Sequence, residues 1–215
     1  MAHILGFGSF NDIDTHVQEP FFNALDGDLS KVRPIDPEQD DGCRIGGIGR
    51  YEVGRPVHPD NMPTRVRREG AGLKIYPKQD FHQLRGTPIM STAARDLIED
   101  MEPGVHQFFP IEVTLGKDDA PYGTYYKFYT GSRIDTLDRS RSGPYTAAGL
   151  CTAIGDPEGR LVLDSERIGN HHIWCEKYVA LPGWVWASDA MVARLQASGL
   201  TGLKPTRHVP ETKDL

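Results

Sequence analysis

Residues 108–130 constrain the fold most, because two neighbouring runs carry the residue pattern of β-strands. The first run alternates apolar residues with others, in the order Phe109, Pro110, Ile111, Glu112, Val113, Thr114 and Leu115. A period of two places the apolar side chains on one face, as in a half-buried strand. After a polar stretch at 116–123, the second run, 124–130, is rich in tyrosine and phenylalanine, which favour strands. We therefore predict an antiparallel hairpin with a long loop.

Two helices are predicted, each by a serine that precedes apolar residues at helical spacing. The first follows Ser91 and stops at Pro103-Gly104, and the second follows Ser188 and stops at Gly199. A serine hydroxyl at this position accepts a hydrogen bond from an otherwise unpaired backbone N–H group, and a glycine readily ends a helix. The apolar faces are formed by Ala94, Leu97, Ile98 and Met101 in the first helix and by Met191, Val192 and Leu195 in the second.

Further strands are expected within 66–76 and at 160–164, 171–175 and 183–187. Strands and helices are mixed without the regular alternation that parallel α/β folds require. The fold class that this order predicts is α+β, with a mixed, mainly antiparallel sheet and a few packed helices.

The first 88 residues differ from the rest, because they are rich in glycine, proline and aspartate. Residues 11–42 contain nine acidic and two basic residues, a net charge of −7 against −6 for the whole chain. We expect this stretch to be exposed and rich in loops, and we interpret the glycines around Gly6 as turns. The sequence suggests three parts: a variable acidic segment at 1–88, a main domain at 89–205, and a polar tail at 206–215 that frays.

Length and composition exclude several classes of protein. A chain of 215 residues with 38% hydrophobic residues can bury a sizeable core. A net charge of −6 argues against a general nucleic-acid binder, and no apolar run is long enough to span a membrane. The N-terminus lacks the pattern of a secretory leader. Three cysteines, Cys43, Cys151 and Cys175, do not form a disulfide framework, so we expect reduced thiols in a cytoplasmic protein.

Few residues are arranged as a catalytic or metal-binding motif. His171 and His172 point to opposite faces of a strand, as do His172 and Cys175, so a zinc site there is disfavoured. An enzyme that uses His172, Cys175 or Asp164 stays open as an alternative, since distant residues can meet in a fold. From the residues themselves we predict no catalytic site, no cofactor and no metal.

The three tryptophans, Trp174, Trp184 and Trp186, have two interpretations. Aromatic side chains dominate the cores of proteins, so burial is the simpler account. Tryptophan is also enriched at the centres of protein interfaces, so one of them could line a binding surface.

Several short motifs resemble a bacterial immunity-protein family, immunity family eleven of the polymorphic toxin systems, formerly a domain of unknown function. The motifs are His106–Val113, the segment 133–142 that begins Arg-Ile-Asp, Leu161–Asp164, His172–Trp174, Ala187–Asp189 and Gly199–Leu203. The resemblance extends over about residues 88–205. The resemblance implies a protein without enzymatic activity that binds and neutralises a toxin in the cytoplasm during competition between bacteria.

The partner implied by the resemblance is a cognate protein toxin, with no direct nucleic-acid or membrane partner. If the toxin is a nuclease, its basic cleft would attract the acidic stretch. We therefore assign toxin binding to Asp36, Glu38, Asp40, Asp41, Trp174, Trp184 and Trp186. A module that binds some other protein is a further alternative. The toxin, the binding face, the oligomeric state and the roles of the cysteines stay open.

Overall fold

The computed structural model describes residues 1–7, 18–35, 54–156, 158–180 and 184–215, and within them the chain forms two sheets and three α-helices. The strands are β1 (Ala2–Phe7), β2 (Phe21–Ala24), β3 (Arg65–Glu69), β4 (Phe81–Leu84), β5 (Thr87–Ser91), β6 (Gln107–Leu115), β7 (Ala120–Tyr129), β8 (Arg133–Ile134), β9 (Ile173–Glu176), β10 (Val185–Ser188) and β11 (Leu203–Val209). The helices are α1 (Thr92–Met101), α2 (Ser165–Ile168) and α3 (Asp189–Ala197). In the described part, no helix has the length and apolar character needed to cross a membrane.

The six-stranded sheet is built around the predicted hairpin, in the order β2-β3-β6-β7-β5-β4. β6 and β7 pair antiparallel, with Ile111 opposite Tyr125. The predicted loop is too long, because β7 already begins at Ala120. Asp119, with a φ of +50°, pairs with Arg67 through its carboxylate and so ties the short turn to β3. β3 pairs with β6 in parallel, which makes the sheet mixed.

The five-stranded sheet has the order β11-β1-β10-β9-β8, and β1 lies inside it. β1 pairs antiparallel with both β10 and β11. Interpreting Gly6 as part of a turn was therefore wrong. Gly6 lies in β1 opposite Lys204, where an added Cβ would lie 2.8 Å from Thr206 Cγ2. The fold is α+β with mostly antiparallel strands, as predicted.

The C-terminal residues do not fray as expected. β11 gains a full antiparallel partner in β1, and Leu163 N–H donates to the carbonyl of Pro210. The side chain of Glu211 is only 4% exposed. A local pattern of polar residues gave no indication of this, because the partner strand is about 200 residues away in sequence.

Both predicted helices form where their serines indicate. Ser91 Oγ accepts a hydrogen bond from Ala94 N at 3.3 Å, and Ser188 Oγ accepts one from Met191 N at 3.2 Å. α1 and α3 share one core with both sheets. That core comprises Leu5, Phe81, Met90, Ala94, Ile98, Phe128, Ile173, Val185, Ala187, Met191, Val192 and Leu195.

Three more clusters of buried apolar residues are present in the described part, the smallest of them formed by Val32, Val57 and Met62. The segment between β8 and β9 folds over the five-stranded sheet and buries Trp174 and Trp186. The strand predicted at 160–164 is absent from this described segment, which makes only isolated bridges there. The six-stranded sheet curls around a third core, so that Phe22 of β2 contacts His82 of β4, with ring centroids 4.8 Å apart.

Candidate functional site

The four acidic residues assigned to toxin binding, Asp36, Glu38, Asp40 and Asp41, lie outside the described residues. Within the same acidic stretch, Asp26 and Asp28 have local structural roles. Asp26 accepts hydrogen bonds from the backbone of Thr64 and Arg65. Asp28 caps the 3₁₀ turn Leu29–Lys31 by accepting from Ser30 N.

The structure separates the three tryptophans. Trp174 and Trp186 lie opposite each other on β9 and β10, and both are 0% exposed. They belong to a hydrophobic core and cannot contact a toxin in the folded protein, which corrects their assignment to a binding surface. Trp184 lies one residue before β10 and is 36% exposed. It is the one tryptophan that a partner can reach.

The residues of the enzyme alternative each have a structural partner. Asp164 caps α2 by accepting from Glu166 N and Arg167 N. His172 Nδ1 lies 2.9 Å from Ser188 Oγ, next to the cap of α3. Burial raises the pKa of the Cys175 thiol to about 11, so it carries almost no thiolate at neutral pH. These positions support the interpretation of all three as parts of the scaffold.

His171 and His172 lie just before β9 rather than in a strand, and their side chains have different neighbours. His171 Nδ1 lies 3.3 Å from Ser132 Oγ, on a different neighbour from that of His172. Across the described ranges, no group of three histidines, cysteines or carboxylates is placed to hold a metal ion.

A buried Glu102–His106 pair resembles part of a catalytic triad, but its contacts are structural. Gly131 N–H donates to His106 Nδ1, so the proton of the neutral ring is on Nε2, which donates to Glu102 Oε2 at 2.9 Å. The same carboxylate accepts from the backbone N–H groups of His172 and Ile173, both at 2.8 Å. The pair therefore fastens the end of α1 to β9. In the sequence, this pair is indicated only by the four-residue spacing of Glu102 and His106, with Pro103-Gly104 between them.

Arg65, Arg67 and Arg68 form a short basic cluster in which two of the three side chains are engaged within the protein. Arg67 forms a bidentate ion pair with Asp119. Arg68 is buried inside the curled sheet, where it donates to the carbonyl oxygens of Tyr76 and Pro77. Burial, together with the nearby Arg68 charge, lowers the pKa of His82 to about 3, so the ring is neutral there.

Among the described residues, a candidate site is an open cavity of about 430 Å³ at the junction of the two sheets. β1, β10 and β11 line it from the five-stranded sheet, and the β4–β5 hairpin lines it from the other. The hairpin turn is tight, since Arg85 and Gly86 have φ values of +50° and +77°. Ile154 adds an apolar side chain from the covering segment. Most of the wall is thus built on regular elements.

Aromatic and cationic side chains give the cavity its chemical character. Phe7 and Trp184 provide aromatic surface. Arg207 is held in place by its Nη atoms, which donate to the carbonyl oxygens of Ala153 at 3.2 Å and Gly159 at 3.3 Å. Sequence reasoning identified only Trp184. Phe7 and Arg207 carry no local signal, because their meeting depends on the pairing of β1 with β11.

Comparison with known proteins identifies the family. The Imm11 immunity protein family matches residues 24–209, which extends well before the segment 88–205 on which the motif resemblance rests. No curated protein matches the chain. Because the family match covers most of the chain, this protein belongs to the Imm11 immunity protein family.

Proposed function

We propose that this protein binds a cognate toxin in the cytoplasm and neutralises it by stoichiometric occlusion, without catalysis. Membership of an immunity protein family is the observation that supports this function. The structural roles of Asp164, His172 and Cys175 support the non-enzymatic part of the proposal. The toxin would belong to a polymorphic system used in competition between bacteria.

A second part of the proposal concerns how the toxin arrives. The stretch 11–42 carries a net charge of −7, which would attract a basic toxin surface, such as the cleft of a nuclease, over long range. In this division of roles, the acidic stretch at 11–42 contributes to specificity, and the two sheets, which include strands from residues 1–88, supply the scaffold.

Co-expression tests the main proposal. The toxin gene beside this one is expressed under an inducible promoter, with and without this protein, and colony survival is counted. We expect full rescue, and the purified pair should form a stable complex with equal amounts of each chain. A toxin that kills equally in both strains, or a neighbouring product without toxicity, would contradict the proposal.

Stopped-flow association tests the acidic attraction. Asp36→Asn, Glu38→Gln, Asp40→Asn and Asp41→Asn are combined in one variant, and we expect its association rate constant to fall about 10-fold at low salt. The difference should shrink at high salt because ions screen the attraction. The matched control neutralises four exposed carboxylates elsewhere, Asp60, Asp96, Asp100 and Asp118. Equal rate constants for the two variants would remove the idea.

A further inference from the structure

We infer that the cavity between the sheets is the toxin-docking site, and that it receives an apolar side chain against Trp184 and Phe7 and a carboxylate against Arg207. This inference rests on the proposed function and adds the chemistry of the contact. The charge that the toxin presents is also opposite in the two contacts. The acidic stretch attracts a basic toxin surface, whereas the cavity would accept an acidic toxin group.

Trp184 is an exposed aromatic side chain in the wall of the cavity. A tryptophan side chain offers a large apolar area for contact. Trp174 and Trp186, on β9 and β10, are completely buried, whereas Trp184 is 36% exposed. It lies in a wall whose backbone is held by strand pairing on both sides of β1. An exposed tryptophan on a concave surface is typical of the residues that contribute most to protein binding.

Arg207 places a positive charge in the wall of the cavity. Its guanidinium donates to two carbonyl oxygens, which are neutral, and it makes no ion pair with a described carboxylate. The described residues that line the cavity include no aspartate or glutamate. A fixed cation that no described carboxylate opposes favours an anionic partner group.

Two exposed basic residues lie next to residues that line the cavity. Lys204 is exposed on β11 opposite Gly6, and Arg85 is exposed on the β4–β5 turn beside Gly86. Gly6 and Gly86 both line the cavity. The whole chain carries a net charge of −6, whereas the charged side chain among the described lining residues is the cation Arg207. These basic side chains favour an acidic loop of the toxin over a basic one.

The outer edge of β11 is a less suitable docking element. Pro205 lacks a backbone N–H, and the pairing with β1 shifts register between Ile4 and Leu5, as at a bulge. Both features are typical of edge strands that resist the addition of another strand. Side-chain insertion into the cavity is therefore favoured over backbone pairing along β11.

Fluorine NMR tests the docking site directly. The protein is labelled with 5-fluorotryptophan, which gives one resonance for each of its three tryptophans, and Trp184→Phe assigns the exposed one. The probe is an unlabelled, catalytically inactivated form of the toxin encoded beside this gene. We expect the Trp184 resonance to shift on binding, while those of Trp174 and Trp186 change little.

Affinity measurements complete the test. Trp184→Ala should raise the Kd at least about 30-fold, as for a residue at the centre of an interface. Phe21→Ala is the matched control, because Phe21 is 54% exposed on β2 and does not line the cavity. Thermal melts of each variant show whether it is folded.

Charge reversal tests the acidic group without touching the wall. Arg85→Glu with Lys204→Glu should weaken binding at least 10-fold. Lys117→Glu with Lys74→Glu makes the same charge change at exposed sites outside the wall and should not weaken binding.

If the wild type binds the toxin but the Trp184 resonance does not shift and Trp184→Ala binds normally, the docking site is wrong and the proposed function stands. If charge reversal has no effect, the acidic partner group is wrong. If the wild type does not bind, the proposed function fails as well.

Discussion

At the residue scale, the contacts that matter most involve buried polar groups rather than an exposed motif. Glu102 is 5% exposed and accepts three hydrogen bonds, one from His106 and two from the backbone of His172 and Ile173. Burial raises the pKa of this carboxyl, but the hydrogen bonds outweigh burial and hold it below its usual value. The charged form is therefore the one that stabilises the junction of α1 and β9.

We predict that Glu102→Gln lowers the free energy of unfolding by about 3 kcal/mol at pH 7. The side-chain NH₂ group of glutamine would face at least one of the N–H donors that now bond to a carboxylate oxygen of Glu102. The folded-state pKa of Glu102 lies below the unfolded value, so its contribution is present above the unfolded pKa. It is lost as the pH falls through the folded pKa. Urea titrations at pH 7 and below pH about 4 measure both effects.

Asp100→Asn is the control for that prediction. Asp100 is exposed on the same helix and pairs with Arg194 on the surface, so the change should cost less than about 1 kcal/mol. A loss for Glu102→Gln no larger than that of the control would show that the buried contact contributes little.

At the element scale, two short helices depend on their first residues and on the sheets that they join. Ser188 ends β10, caps α3 and contacts His172 Nδ1, so one hydroxyl connects a strand, a helix and a loop. Ser91 has the same position between β5 and α1, and it also donates to Asp80. A helix of nine or ten residues is marginal alone, so these caps and the shared core determine its stability.

We predict that Ser188→Ala lowers the free energy of unfolding by about 1–2 kcal/mol, because α3 loses its cap and His172 loses a neighbour. Ser188→Thr keeps the hydroxyl and should retain most of that stability. Denaturant unfolding of the three proteins gives the comparison. Alanine and threonine variants of equal stability would contradict a role for the hydroxyl.

At the scale of the whole molecule, the first 88 residues contribute strands to both sheets. β1 lies between β10 and β11, and β3 pairs with β6. Residues 88 and 89, where the sequence suggested a boundary, lie within β5. The cavity also depends on this arrangement, because β1 and the β4–β5 hairpin face each other across it.

We predict that a chain restricted to residues 89–215 does not unfold cooperatively, because it lacks β1 and β3 and exposes the apolar faces that they cover. Circular dichroism during heating compares it with the full chain. A sharp transition near that of the full protein would instead support two separable parts.

The hairpin, both main helices and the fold class could be predicted from the sequence, because alternation and serine caps depend on residues close together in the chain. Sequence motifs also indicated the family, since the segments around Phe109 and Trp174 are distinctive in combination. The residues before 24 and the strand β11 could not be interpreted in the same way, because their structure depends on pairing across the chain.

What the sequence determined by itself is local: the period of two at 109–115, the helix starts at Ser91 and Ser188, and the helix end at Gly199, whose φ is +71°. Only the tertiary structure decided which tryptophan is buried and which groups line the cavity. Trp174, Trp184 and Trp186 look alike in sequence, but cross-strand pairing buries two of them. Burial and cavity formation depend on contacts between distant segments, and no short window of sequence contains both sides of such a contact.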